Sequence, residues 1–309
     1  MTLAVACSRY FGEVGMHLDN RDDCIRNLAW LQDYFGSSTR LDHIGSSEIA
    51  AMVAKRRSEG VSNATVNRSA VVPLRAIMRR ASKVWQVPAA SIDWKDHLLD
   101  EPQERVREAS LAEEKEARTM VRPDYEPAVR FALLAGCRRE EIVSLIWPRV
   151  DFFGRTITVI GKRGRSRVIP MSNALYALLW ALKDHHPIAV FTYIAQATRE
   201  DKGIERGKRY PITISGFKTE WRRKRAKSTL VDFRFHDTRH TAATRVLRKG
   251  NLKVVQKLLG HSNIATTAKY AHAMVDDIRA AMEAVDATEI TTDAAETRRK
   301  KLKGKGKSK

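Results

Sequence analysis

The sequence predicts a mainly α protein in two parts: a helical bundle over the first third, then an α+β domain in which helices enclose a small antiparallel three-stranded sheet. Three observations predict it. Apolar residues recur three and four positions apart through residues 8–87, acids and prolines crowd the stretch that follows, and short β-branched runs separated by glycines gather in residues 150–169.

In the first part, Cys24, Leu28, Leu31 and Phe35 share one helical face, Ile49, Met52 and Val53 a second, and Ala70, Leu74, Ile77, Met78, Ala81 and Trp85 a third. Pro73 falls inside the third run, where its missing N–H and its ring predict a kink or a split. Lys55, Arg56, Arg57, Arg68, Arg75, Arg79, Arg80 and Lys83 occupy the other sides of these runs. Such a row is either a solvated face or a surface that tracks phosphates, and the overall charge favours the second. Residues 93–118, with Asp93, Asp96, Asp100, Glu101, Glu104, Glu108, Glu113, Glu114 and Glu116 near Pro88 and Pro102, read as a linker that runs into the first helix of the next domain.

The second domain, residues 119–288, opens with an apolar helix from Val129 to Ala135 that glycine stops at Gly136, and a helix from Arg139 to Ile146 that ends before Pro148. Strands follow at Val150–Phe153, Thr156–Ile160 and Arg167–Ile169. Turns at Gly154 and at Gly161-Lys162-Arg163-Gly164 make them a meander with Lys162 at a hairpin tip. Helices are expected from there to about Val285, with Asn251 and Ser262 as N-caps and Gly250 and Gly260 as stops. Residues 289–309 read as a basic, mobile tail, poor in apolar side chains.

Composition narrows the partners. The chain has 309 residues, 43% of them hydrophobic, which is enough for two cores. Its formal net charge is +20, and such an excess fits a polyanion, nucleic acid before membrane. Eight of the cations lie in the last twelve residues, so the body itself is basic. Cys7, Cys24 and Cys137 form neither a Cys-x-x-Cys pair nor an even set, which argues against a disulfide framework or a zinc ribbon. No run approaches the roughly 20 apolar residues that span a bilayer, and the start lacks the pattern of a signal peptide. A cytoplasmic, nucleoid-associated protein without a membrane partner is expected.

The residues between Phe235 and Tyr270 carry the chemistry. Breaking a phosphodiester without metal needs an internal nucleophile, cations on the non-bridging oxygens and a proton donor for the leaving hydroxyl. Tyr270 can form a covalent phosphotyrosine, which divides one hard transfer into two easier ones. Arg138 and Arg239 can grip the phosphate as bidentate forks where charge develops. His236 and His261 can donate to the same oxygens or move the tyrosine proton. Lys162 can protonate the departing 5′ oxygen, and no metal or cofactor is called for.

These residues resemble the tyrosine recombinase, or phage integrase, family. Its elements stand here in order as Gly136-Cys137-Arg138-Arg139-Glu140-Glu141, Gly161-Lys162, His236-Asp237-Thr238-Arg239-His240-Thr241, Leu259-Gly260-His261 and Tyr270. Cys137 and Glu140 replace the usual leucine and serine of the first box without removing a reacting group. The resemblance implies a catalytic domain of tyrosine recombinase type, with residues 1–92 similar in layout to the family's SAM-like core-binding domain and no separate arm-binding domain ahead of it. It implies six catalytic residues (Tyr270, Arg138, Lys162, His236, Arg239 and His261), with Glu141 and His240 in support. It further implies double-stranded DNA as partner, a homotetramer on two recombination sites, exchange through a Holliday junction, and room for a directionality factor. A helix from Val275 to Val285 is the candidate for exchange between protomers. Contacts to DNA are expected from Arg56, Arg68, Arg75 and Arg79, and from Arg222, Arg223 and Arg225 in the basic stretch between Tyr193 and Val231.

Plainer readings use the same residues. The fold would also serve a type IB topoisomerase-like relaxing enzyme, and the short helices from Thr238 to Lys269 a non-catalytic DNA-binding regulator. Tyr270 alone would be a half-buried aromatic, and Cys137 core packing. His236 and His240 lack the glutamate and third ligand of a zinc helix, and the glycine turn at 161–164 lacks the spacing of a nucleotide-binding loop.

Overall fold

The computed structural model describes residues 1–102, 105–161 and 164–270, and the chain divides into two compact units, residues 1–103 and 104–309. The expectations placed on Lys162, on Val275–Val285 and on residues 289–309 lie outside the described residues.

The first unit is helical: α1 (Leu3–Glu13), α2 (Arg21–Phe35), α3 (Ser46–Ser58), α4 (Asn63–Val66) and α5 (Val72–Lys83). The periodic residues do what their spacing demands, with Leu28, Leu31, Ile49, Met52, Leu74 and Ile77 buried in one core. Pro73 splits the run, as its ring and missing N–H predict. It stands in the first turn of α5, where its missing N–H is harmless, and Asn67–Val71 ahead of it form a wide π turn. α1 starts at Leu3, earlier than the periodicity from residue 8 suggests, because Leu3, Ala6 and Cys7 enter the core.

The linker expected over residues 93–118 is divided between the two units. Trp94, Leu98 and Leu99 pack on the first core, and the Asn67 side chain pairs with the backbone of Leu99 in both directions, at 2.8 and 3.0 Å. Ser46 bonds His97 at 2.7 Å. In the second unit the acids of the stretch meet arginines: Glu114 accepts from Arg245 at 3.0 Å and Glu108 from Arg248 at 2.7 Å. Composition suggested a solvated spacer; ion pairing across more than 130 residues makes it part of the fold.

The second unit begins with α6 (Leu111–Thr119), whose Ser110 and Glu113 cap each other's backbone N–H at 3.2 and 2.9 Å. α7 (Glu126–Ala135) is buried along nearly its whole length and ends at Gly136 with φ +62°. α8 (Arg139–Val143) is shorter than expected, because Leu145 and Trp147 turn their backbones to Val190 and Ile188 instead. The meander forms as β1 (Val150–Asp151), β2 (Thr156–Ile160) and β3 (Ser166–Pro170), antiparallel in that order. β1 stops early because Asp151 accepts the Gly154 N–H at 2.8 Å and closes the turn, which leaves Phe152 to pack on Trp147, Tyr176 and Trp180.

Beyond α9 (Asn173–Trp180) helices do not simply continue. β4 (Thr192–Ile194) and β5 (Arg209–Pro211) pair antiparallel as a second small sheet. Their partners lie 15 to 19 residues apart, so no local period announces the pair. α10 (Ile214–Arg225), α11 (Asp237–Lys249), α12 (Leu252–Leu259) and α13 (Ala265–Ala268) complete the unit. Asn251 caps α12 through the N–H groups of Lys253 and Val254, and Gly260 ends it at φ +67°. Ser262 caps nothing: α13 begins after Ile264.

Candidate active site

Gly136 and Leu259–Gly260 bring two distant helix ends to one arginine. Arg239, on the first turn of α11, is 2% exposed; its guanidinium donates to the Gly136 carbonyl at 2.6 Å and to the Leu259 carbonyl at 2.7 Å. A Cβ on Gly136 would stand 3.1 Å from Leu259 and 3.3 Å from Ala242, so the close approach of α7 to α11 and α12 suits glycine as well as the positive φ does. Burial first, and then the neighbouring charge of Arg138, pull the Arg239 pKa down to about 10, which still leaves it cationic at neutral pH. Three of its five N–H groups are engaged, leaving two that can meet an anion.

Arg138 stands at the cap of α8, its side chain 36% exposed and held to Glu141 by one contact at 3.1 Å. Glu141 is 3% exposed and also takes the Arg138 backbone N–H at 2.7 Å and both terminal nitrogens of Arg167 at 2.8 Å. Burial would raise its pKa; hydrogen bonds and charge from Arg167, with the Arg138 amide, outweigh that and leave it below the usual carboxylate range. Burial pushes the Cys137 thiol up to about 12, so it stays a neutral packing group, as the plainer reading held.

His261 closes the cluster. Its Nε2 lies 3.2 Å from the Arg239 guanidinium and its Nδ1 2.9 Å from the Thr267 hydroxyl. Arginine can only donate, so Nε2 accepts and Nδ1 carries the proton toward Thr267. Burial, then repulsion from Arg239 and Arg138, lowers its pKa to about 4.

Two clefts meet at Arg138. One, of about 180 Å³, is lined by Arg138, Arg139, Lys218, His236 and Arg239; the other, of about 230 Å³, by Arg138, Gly161, Arg165, Arg167, Gly260 and His261. Four of the six expected catalytic residues, Arg138, Arg239, His236 and His261, therefore border adjoining space. Lys162 lies outside the described residues, although its neighbour Gly161 lines the second cleft.

Tyr270 departs from expectation. It lines neither cleft and is 0% exposed, packed with Ala243, Leu247, Val255 and Leu259, and its hydroxyl meets His240 Nδ1 at 3.1 Å. The ring gains from leaving water and its one polar atom finds a partner, so withdrawal satisfies both ends of the side chain. His240 is thus joined to the tyrosine, and its ring also meets that of exposed His236 edge-on at 4.9 Å.

The arginines proposed for DNA contact differ in freedom. Arg56 is occupied at home: it lies over the Trp30 ring at 4.8 Å, reaches Ser69 at 3.1 Å and pairs with Glu59. Arg68 is exposed with its Nε on the Ala64 carbonyl, Arg79 is exposed, and Arg75 is half-buried. On α10, Arg222 is exposed, Arg223 is exposed but pairs with Glu220 at 2.5 Å, and Arg225 is half-buried. The sequence reading missed Arg167 and Lys218. Arg167 had a signal: it pairs in register with buried Val159 beside Ile157 and Ile169, a cation where the strand alternation calls for an apolar residue.

A mainly α domain with a small meander, presenting two arginines and two histidines to adjoining basic clefts, has the equipment of an enzyme that acts on phosphodiesters. The phage integrase family model matches residues 104–276, and the chain belongs to that family. It is 26% identical to the integrase of Salmonella phage P22 over 308 residues, covering 88% of this chain and 76% of that protein. It is 29% identical to the tyrosine recombinase XerC of Staphylococcus aureus over 195 residues, but that match spans 59% of this chain and 63% of that protein. Among solved structures, the Tn1549 transposon integrase in complex with a circular intermediate DNA superposes with a TM-score of 0.72 at 22% identity, covering 92% of this chain and 99% of that one. A lambda integrase tetramer bound to a Holliday junction gives 0.66 at 18%, covering 87% and 77%. These two likenesses support the fold. No helix among the described residues is long and apolar enough to cross a membrane.

Proposed function

We propose that this chain is a site-specific DNA recombinase in which Arg138 and Arg239 hold the scissile phosphate while Tyr270 attacks it. The observation that carries the reading is the convergence of these two arginines with His236 and His261, from segments a hundred residues apart, on adjoining clefts. The Tyr270 oxygen passes its proton to a neutral imidazole, His236 or His261, and forms a bond to phosphorus as the bond to the 5′ oxygen breaks. The 3′ end stays on the enzyme as a phosphotyrosine, and Lys162 delivers a proton to the departing hydroxyl. Two guanidiniums offset the negative charge that builds on the non-bridging oxygens. A bound phosphate also offsets part of the positive charge of Arg239 and Arg138 which, after burial, holds His261 neutral. Tyr270 must leave the His240 contact before it can attack, so the described arrangement is a resting one.

Supporting contacts come from Glu141 and His240, and backbone contacts from Arg68, Arg75, Arg79, Arg222, Arg223 and Arg225, with Arg56 held in reserve by its own unit. Residues 1–92 bind the DNA core, 119–288 catalyse and 289–309 anchor non-specifically, while of the stretch between them residues 93–103 go with the first unit and 104–118 with the second. Four protomers on two sites exchange strands in pairs through a Holliday junction, in the cytoplasm on the nucleoid, with a directionality factor as a further partner. Tyr270→Phe tests the centre of this: it should bind duplex DNA normally and leave no protein covalently attached to sheared genomic DNA, whereas the parent leaves ends that can be sequenced. Equal adduct from both proteins would refute the role of Tyr270.

A further inference from the structure

We propose that Arg167 is a positioning residue for the phosphate cleft, one that saturates Glu141 so that Arg138 keeps its guanidinium available to the phosphate. The inference rests on the recombinase reading above and concerns how its phosphate grip is built.

A cation at 10% side-chain exposure on an inward register position of β3 is costly unless fully paired. Arg167 is paired on every side: NH1 and NH2 reach Glu141 at 2.8 Å each, Nε reaches the Leu258 carbonyl at 2.8 Å, and NH2 lies 3.7 Å from Cys137 Sγ. Gly260 leaves the space for it, since a Cβ there would stand 2.8 Å from Arg167 Cδ. The carboxylate is then full. Oε1 accepts from Arg138 NH1 and Arg167 NH1, and Oε2 accepts from the Arg138 amide and Arg167 NH2, four donors for four lone-pair positions.

Arg138 therefore spends one N–H of five on Glu141. Without Arg167, a buried carboxylate would hold two open acceptor positions beside a half-exposed guanidinium. Arginine and carboxylate close readily into a two-pronged pair, which would turn Arg138 away from the phosphate. The same loss frees the Leu258 carbonyl and so loosens Leu259 and His261, the neighbours that Arg239 relies on. One residue on the meander thus sets three others on a single anion.

The test uses the full chain, with Arg167→Met, Arg167→Lys, Glu141→Gln and the double Arg167→Met/Glu141→Gln, and reads two quantities. The first is covalent attachment to a nicked duplex built on the sequence recovered from genomic trapping. Arg167→Met should bind that duplex as the parent does but cleave about a hundredfold more slowly, the scale of a small misplacement at a reacting centre. The double variant should be no slower than Arg167→Met, since without the carboxylate nothing captures Arg138. The second quantity is inorganic phosphate binding, followed through the Arg138 Nε–H resonance. Arg167→Met should weaken it about tenfold, the worth of one charged hydrogen bond. Lysine keeps the charge but cannot span both oxygens and Leu258, so Arg167→Lys should show the same losses in smaller measure and carries both measurements if the methionine variant lacks a cooperative melt. Parental cleavage and parental phosphate affinity in these variants overturn the proposal, as do losses that multiply in the double. A phosphate response that depends on Arg167, with genomic trapping yielding no covalent adduct even from the parent, would sink the recombinase reading and leave this one standing.

Discussion

His261 shows at the residue scale how the site is tuned. Its neutral form, with Nε2 accepting from Arg239 and Nδ1 donating to Thr267, is what burial and two nearby guanidiniums enforce. The folded pKa of about 4 lies below the ordinary 6.5, so the unfolded chain takes up the proton first as pH falls. The stability this group contributes is fully present above about pH 6.5 and is lost progressively from there down to about pH 4. Thermal melts at pH 7 and pH 5 should show a larger drop for the parent than for His261→Gln; equal drops would mean that another group carries the effect. Tyr270 is set by the same physics with the opposite result: an apolar ring and one satisfied hydroxyl favour the interior.

Helix ends do more than helix faces to position this site. Arg138 is at the cap of α8, Arg239 in the first turn of α11, and His261 one residue past the Gly260 stop of α12. Two substitutions on α12 separate stability from chemistry. Asn251→Ala removes a cap and should cost about 1 kcal/mol in denaturant unfolding, with covalent cleavage intact. Gly260→Ala combines a left-handed φ of +67°, itself costing about 1–2 kcal/mol, with a Cβ driven onto Arg167. It should therefore lower both stability and cleavage rate, and a variant that loses stability alone would show that the Arg167 seat tolerates displacement. At this scale the sequence was readable where the signal is local. The apolar periods of α2, α3 and α5 and the cap at Asn251 follow from neighbours two to four residues away, whereas the cap expected at Ser262 does not form. The ends of α8 and β1 were misplaced because the Val190 N–H takes the Leu145 carbonyl and the Asp151 carboxylate takes the Gly154 N–H.

For the whole molecule, charge governs encounter with DNA. A net +20 spread through the body and the end of the chain predicts that duplex binding falls about a thousandfold between 50 and 200 mM salt as displaced counterions lose their advantage. A flat salt response in a gel-shift titration would contradict that. Charge also acts inward: the acids at 108–116 tie the start of the second unit to Arg245 and Arg248 on α11 and to Thr229, so an acidic run that composition assigns to a spacer serves as a clasp.

Sequence alone determined which nucleophilic and phosphate-binding side chains this protein has to offer, in what order, and which residues fill its two cores, because residue type and helical period are properties of neighbours along the chain. Tertiary structure decided what those groups do at rest: Arg239 held by carbonyls 20 and 103 residues away, Glu141 filled by an arginine 26 residues on, and Tyr270 buried against a histidine 30 residues back. Such pairings depend on which buried polar atom reaches which other once the chain has packed, and no periodicity records that.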